Sequence, residues 1–458
     1  MKIQIRNSQK RDFYKTIAGI AIPISLQGLI TVGVNMMDIV MLGQLGETAI
    51  SASSLANQFI SIFQILCTGL GMGSSVMLAR FWGAKDTYSM KKVVTIMYRL
   101  AIVLALFFTI PAVCFPEEIM QLYTEDEAVI QSGIRYLYWS LPTFLLVAFS
   151  MTTTAAMRSF GQVRVSLLSS IVGFFANIVL NWIFIFGKLG APAMGIAGAA
   201  LGTTLARIAE TGIICGFFFI KDDRLCFRTR DLMIPCGKYV PEFLKICFPV
   251  LVSDAMLALG NSAVAMIMGH IGTAFVSANA ITHVAVQLST IFIQGISNAA
   301  GIITGNTIGA GNEAEATKNG MFFFRLGAFA GMIGSIIIIV VGNASLCLYQ
   351  IELETKEIAV QLIYAVALMS IFQASNSILT KGVLRAGGDT RFLMVTDTAF
   401  LWLAAVPLGY LAGLVWRFPP FMIIMCLRAD QIIKMLVCVF RLKSGKWIKQ
   451  VKSAHRTA

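Results

Sequence analysis

Charge is what this sequence has least of. Only 13% of its 458 residues are charged, with 23 acids against 36 Lys and Arg and three His; a soluble chain carries about 25%. There is no GxxxxGK[ST], which excludes a P-loop nucleotide engine, and no HExxH or GxSxG. No polar stretch is long enough for a soluble catalytic domain, so an enzyme is not expected. The nine cysteines form no CxxC and no Cys/His cluster; they read as packing residues in a reduced setting, with Cys226 and Cys236 in a polar loop. No cofactor is expected.

What is present is apolar length. Hydrophobic residues make up 57% of the chain, in runs of about 20 residues or more that suit tilted membrane helices. Twelve spans are predicted: Tyr14–Leu42, Ser51–Leu78, Val93–Phe115, Ala128–Met157, Ser166–Phe186, Ala197–Ile220, Phe243–Met268, Val276–Thr304, Met321–Leu346, Ile358–Val383, Phe392–Leu414 and Phe421–Leu442. Lys2, Arg6, Lys10, Arg11 and Lys15 lead into a first segment too long for a signal h-region. The basic residues gather at the N-terminus, in the loops after the even-numbered spans and in the tail. The opposite loops hold Glu117, Glu118, Glu125, Asp126, Glu127, Glu352, Glu354 and Glu357. The positive-inside rule then places both termini in the cytoplasm, and the net charge of +13 is a topology signal with no bearing on nucleic acid.

The chain also repeats itself. A shift of 226 carries Pro23 onto Pro249, Gly43 onto Gly269, Gly46 onto Gly272, Gly83 onto Gly309 and Arg99 onto Arg325. A shift of 227 carries Arg158, Gly161 and Arg164 onto Arg385, Gly388 and Arg391. Apolar composition does not force matches at loop glycines and arginines. The expected fold is all-α and polytopic: two homologous six-helix bundles related by a pseudo-two-fold along the membrane normal, the parallel-repeat plan of many secondary transporters. Residues 1–220 form the first half, 221–241 a basic cytoplasmic linker and 242–458 the second half.

Polar stripes mark candidate sites. Asn57, Ser61, Gln64 and Thr68 share one face of span 2, and the shift of 226 gives His283, Gln287, Thr290 and Gln294 in span 8. They line either a water-accessible cavity between the halves or helix contacts, where such hydrogen bonds average about 0.6 kcal/mol. Thr31, Asn35 and Asp38 form a stripe in span 1. Asp38 lies about 35 Å along the helix from Lys15, and an acid inside a membrane-length segment is a functional-site hypothesis; a carboxylate capping near the outer interface is the bland alternative. Asp254, about 13 Å past Lys245 along its helix, is a second candidate. Glu210 with Arg207, and Asp430 with Arg428 and Lys434, read as internal ion pairs. Arg99 and Arg325 read as snorkelling to the inner interface, Asp397 as interfacial and His270 as solvated. Asn177 and Asn181 share a face of span 5, and Gly198-Ala-Ala-Leu-Gly202 permits close helix contact; Asn, Thr and a carboxylate suit a hard cation such as Na⁺, or the Asn pair glues helices together.

Several motifs in order resemble the multidrug and toxic compound extrusion (MATE) family: Pro23 with Asp38-Ile-Val-Met-Leu-Gly43-Gln-Leu-Gly46, Gly83-Ala-Lys-Asp86, Arg158-Ser-Phe-Gly-Gln-Val-Arg164, Gly195-Ile-Ala-Gly-Ala-Ala-Leu-Gly-Thr203, Ala206-Arg-Ile-Ala-Glu210, Arg385-Ala-Gly-Gly-Asp-Thr-Arg391 and Ser444-Gly-Lys-Trp447. The resemblance covers nearly the whole chain. It implies efflux of cationic organic compounds in exchange for H⁺ or Na⁺ by a bacterial cell-membrane protein acting as a monomer among lipids. It also implies a cation site at Asp38, Asn177, Asn181 and Thr203, and it makes Asp254 the nearest match to an acid that some branches carry in span 7. The family often has Asp where this chain has Asn181, so the site has one fewer charge. The rival readings are a lipid-linked precursor flippase of the same superfamily and a non-transporting membrane scaffold or receptor.

Overall fold

The computed structural model describes residues 2–237, 239–348 and 352–449. The tail's Lys452 and Arg456, and Lys238 of the basic linker, lie outside the described residues. All regular structure among the described residues is helical. The long helices are α1 (Lys2–Gly43), α2 (Glu47–Gly83), α3 (Thr87–Cys114), α4 (Glu127–Ser159), α5 (Val163–Phe186), α6 (Ile196–Lys221), α7 (Val240–Ile271), α8 (Thr273–Gly309), α9 (Glu313–Leu348), α10 (Leu353–Leu384) and α11 (Thr390–Val415). These eleven are long and apolar enough to cross a membrane. The twelfth span is in two pieces, α12 (Pro420–Leu427) and α13 (Ala429–Lys443), separated at Arg428. Arg428 leaves helical geometry (φ −118°, ψ 11°) while its guanidinium reaches sideways to Gln373 at 2.8 Å. Four stretches of π-helix, unannounced by the apolar pattern, widen the ends of α6 and α10 and two turns of α11.

The loop glycines of the repeat have a backbone reason. Gly161 and Gly388 sit at φ +79° and +74°, the left-handed region that glycine enters without steric cost. Each donates its N–H to the carbonyl of the arginine three residues earlier, Arg158 or Arg385, at 3.0 and 2.8 Å. The same turn is thus built twice.

The helices pack into two compact bodies. One holds Leu26–Leu78 and Thr87–Leu244; the other holds the chain from Lys245 onward together with the segment up to Ser25 and Ala79–Asp86. In the first body Phe63 meets Phe144 edge to face at 5.2 Å, with Phe59 and Phe108 around them. The basic linker is docked onto this body. Phe227, fully buried, stacks on Phe218 at 5.5 Å and on Tyr98 at 6.2 Å. Asp231 pairs with Lys91 at 2.8 Å, and Arg99 donates to the carbonyls of Leu232 and Ile234 at 2.8 and 3.1 Å. The second body buries Ile267, Phe275, Ile338, Leu362, Ile363 and Leu427, drawn from α7, α8, α9, α10 and α12.

Asp397 is buried, 3.6 Å from Lys434 Nζ, and accepts a hydrogen bond from Ser253 at 3.1 Å. Its depth counted from Arg391 is shallow, but its helix face turns inward between α7 and α13. Asp430 takes Lys434 as its partner at 2.9 Å, leaving Arg428 to Gln373.

Candidate functional site

The site is built on α1, α5 and α6. Close approach of α5 and α6 comes first, and two glycines permit it. A Cβ on Gly198 would lie 2.3 Å from the carbonyl oxygen of Phe184, and one on Gly202 would lie 2.3 Å from Asn181 Oδ1 and 2.9 Å from its backbone nitrogen. Both distances are far inside van der Waals contact, so no side chain fits at either position. With the backbones this close, the i, i+4 amides of Asn177 and Asn181 meet α6 and α1 directly. Asn177 Nδ2 donates to Thr203 Oγ1 at 3.1 Å, and Asn181 Nδ2 donates to Asp38 Oδ1 at 2.7 Å. A weaker contact of 3.4 Å links Asn181 Nδ2 to Asn177 Oδ1.

Asn177 and Asn181 are buried, and Asp38 and Thr203 are half-buried. Asn181 Oδ1 is buried without a partner, which is costly unless something else uses it. The carboxylate, two amides and a hydroxyl therefore gather oxygen atoms of the type that a hard cation takes. Asp38 alone supplies a full negative charge.

Next to this cluster lies a cavity of about 40 Å³, lined by Thr31 and Asn35 of α1, Ser170 and Asn177 of α5, and Thr203, Arg207 and Glu210 of α6. A water needs about 10–15 Å³ by this measure, so a water or a bare ion fits. Its far wall is a network. Arg207 pairs with Glu210 at 2.7 Å, Ser170 donates to Glu210 at 3.2 Å and Gln27 donates to Ser170 at 2.8 Å; Arg158 in turn donates to Gln27.

The other predicted residues lie elsewhere. Asn57 donates to Tyr136 at 3.2 Å and accepts from it at 3.5 Å, and Thr68 reaches Met151 Sδ at 3.9 Å. Ser61 and Thr68 bond back to their own helix, at Asn57 O and Gln64 O, and Thr290 does the same to Val286 O. His283, Gln287 and Gln294 are exposed. The stripes are thus open faces within their own bodies. Asp254 belongs to the other body from Asp38 and faces Arg385 at 3.3 Å. His270 is exposed and contacts Met266 O. Gln27, Ser170 and Arg158 were missed as site residues. The repeat does not point to this pair: the shift of 226 in span 1 carries Gln27 onto Ser253, whereas Arg385 contacts Asp254.

Open polar faces, a carboxylate within a membrane-length helix and doubled helical repeats fit a polytopic membrane transporter. The MatE family profile matches the chain twice, over residues 23–183 and 249–411; the two matches begin at the paired prolines. The chain belongs to the MatE family. It is 24% identical over 444 residues to a probable multidrug resistance protein NorM of Thermotoga maritima, covering 96% of this chain and 94% of the relative. It is 26% identical over 408 residues to a multidrug resistance protein NorM of Burkholderia vietnamiensis, covering 86% of each. Among solved structures, MATE in the straight conformation superposes with a TM-score of 0.85 at 19% identity, covering 94% of this chain and 96% of that one. An outward-facing multidrug resistance MATE family transporter of the MOP superfamily gives 0.84 at 18% identity, covering 94% and 96%. These structures share the fold.

Proposed function

We propose that this chain exports cationic, amphipathic organic compounds by antiport with H⁺ or Na⁺, with Asp38 as the exchange site. The observation that carries this reading is the Asn181–Asp38 hydrogen bond of 2.7 Å within an oxygen-rich cluster beside a cavity of about 40 Å³. Asn177, Asn181 and Thr203 orient the carboxylate and supply further oxygens. One carboxylate cannot hold a proton or Na⁺ and a cationic substrate at once. Ion entry from outside cancels its charge, the substrate leaves, and the exchange shifts the balance between the two orientations of the carrier. The exposed stripes of α2 and α8 supply polar contacts to the substrate path, and the 23 methionines suit substrates of varied shape.

Under the same proposal the two halves, 1–220 and 242–458 joined by 221–241, are the units that alternate, in a bacterial cell membrane with both termini in the cytoplasm and the protein acting as a monomer. Asp254 is carried as an acid whose negative charge is already answered by Arg385. A flippase for pyrophosphate-linked lipids needs several unpaired basic residues, whereas Arg207, Arg385 and Lys434 each face a carboxylate. Ethidium counterflow in proteoliposomes, under a proton gradient and separately under a sodium gradient, tests transport and identifies the ion. Asp38→Asn is expected to abolish coupled efflux while expression is kept; full efflux by this variant would sink the assignment.

A further inference from the structure

Spans 6 and 12 each carry one cation at the same register of the repeat, Arg207 and Lys434, 227 residues apart. Their surroundings differ. Lys434 is enclosed by two carboxylates, Asp430 at 2.9 Å and Asp397 at 3.6 Å, and its side chain is 2% exposed. Arg207 has one carboxylate, Glu210 at 2.7 Å, and its side chain is 32% exposed. It stands in the cavity wall with Asn177 and Thr203, the side chains that lead through Asn181 to Asp38. Thr203 lies four residues before it, about 6 Å along the axis, within the length of an arginine side chain. Helical side chains lean toward the N-terminus, which for Arg207 is the Thr203 side.

Glu210 cannot follow if Arg207 moves. It is buried, accepts from Ser170, and is backed by Gln27 and Arg158 on two further helices. The fixed partner is the acid and the movable one is the guanidinium.

We propose that Glu210 is a positioning residue that withholds Arg207 from Asp38, and that Arg207 is a tethered cation competing with the transported ion for that carboxylate. This rests on the reading of Asp38 as the exchange site. The repeat explains the asymmetry: the second half locks its cation with a second acid at Asp397, whereas the first half has Ser170 at the matching position, 227 residues earlier.

The test compares wild type, Glu210→Gln, Arg207→Gln and the double variant in proteoliposomes. Ethidium efflux is driven by graded proton or sodium gradients, and the half-saturating ion concentration and maximal rate are read separately. Glu210→Gln frees Arg207 onto Asp38 and is expected to raise the half-saturating concentration about tenfold, with the maximal rate recovered at saturation. Arg207→Gln removes the competitor and lowers that concentration; the double variant returns to the wild-type value or below it. Equal shifts of the same sign in both single variants, or no shift in either, overturn the proposal, because a pair needed only for packing behaves symmetrically. If Glu210→Gln does not survive purification, Arg207→Gln decides: an unchanged or raised half-saturation overturns the competition. Asp38→Asn is run alongside. Coupled efflux surviving in that variant refutes the Asp38 reading itself; its loss, with Glu210→Gln at wild-type values, refutes only the withholding role.

Discussion

Gly202→Ala puts one methyl group where the site is tightest. The added carbon would stand 2.3 Å from Asn181 Oδ1, 2.9 Å from Asn181 N and 3.1 Å from the carbonyl carbon of Leu180. The amide oxygen can rotate away, but the two backbone atoms cannot, so α6 must withdraw from α5 by several tenths of an ångström. Overpacking of this kind costs about 1–3 kcal/mol of stability. Rotation of the Asn181 amide also breaks its 2.7 Å bond to Asp38, and a hydrogen bond to a charged group contributes about 1.5–3 kcal/mol. If half of that is lost at the exchange site, the half-saturating ion concentration shifts by about three- to tenfold. Gly198→Ala is the control. Its methyl would meet Phe184 O at 2.3 Å, with a similar packing cost and no contact with Asn181. The assay is ion-titrated ethidium efflux in proteoliposomes beside thermal unfolding in detergent. Both variants should unfold at lower temperature, and only Gly202→Ala should change half-saturation strongly. A Gly202→Ala protein with wild-type half-saturation would refute the link between the seating of the Asn181 amide and the Asp38 site.

Three further outcomes follow from the geometry. Lys434→Met leaves Asp430 and Asp397 buried with no cation at 2.9 and 3.6 Å; a loss of about 3–5 kcal/mol is expected, read as a lowered thermal midpoint that the triple variant Lys434→Met, Asp397→Asn, Asp430→Asn largely restores. Asp254→Asn strips the carboxylate from Arg385, whose side chain is 4% exposed, and is expected to lower the midpoint by several degrees, with recovery in the pair Asp254→Asn, Arg385→Gln. Phe227→Ala empties the pocket between Tyr98 and Phe218 and is expected to destabilise by about 3–5 kcal/mol; limited proteolysis of residues 222–237 should then accelerate, and an unchanged cleavage rate would show that Phe227 does not hold the segment.

The spans were legible because membrane-length apolar runs admit only helix when the chain is not a barrel, and the observed ends fall within a few residues of the expected ones for α4, α5, α6 and α11. The repeat was legible because glycine at a left-handed turn leaves a signature that composition cannot imitate. Within the site, Asn177 and Asn181 were legible through their i, i+4 spacing, and Gly198 and Gly202 through theirs. Gln27 and Ser170 were not, because neutral polar residues in membrane helices are common and their partners lie 131 and 143 residues away. The burial of Asp397 was not legible for a different reason. Counting residues from a basic edge measures position along the membrane normal, whereas burial depends on which way the helix face turns.

The segment that joins the two repeats is, in packing, the last piece of the first. Residues 222–237 give Phe227 to the Tyr98 stack, Asp231 to Lys91 and two carbonyls to Arg99. Were the protein made as two polypeptides, the position of the cut would decide whether they assemble. A cut ahead of Asp222 would hand the plug to the wrong fragment and uncover Tyr98 and Phe218. A cut at Gly237, past Cys236 but before α7, would keep every one of those contacts within one fragment.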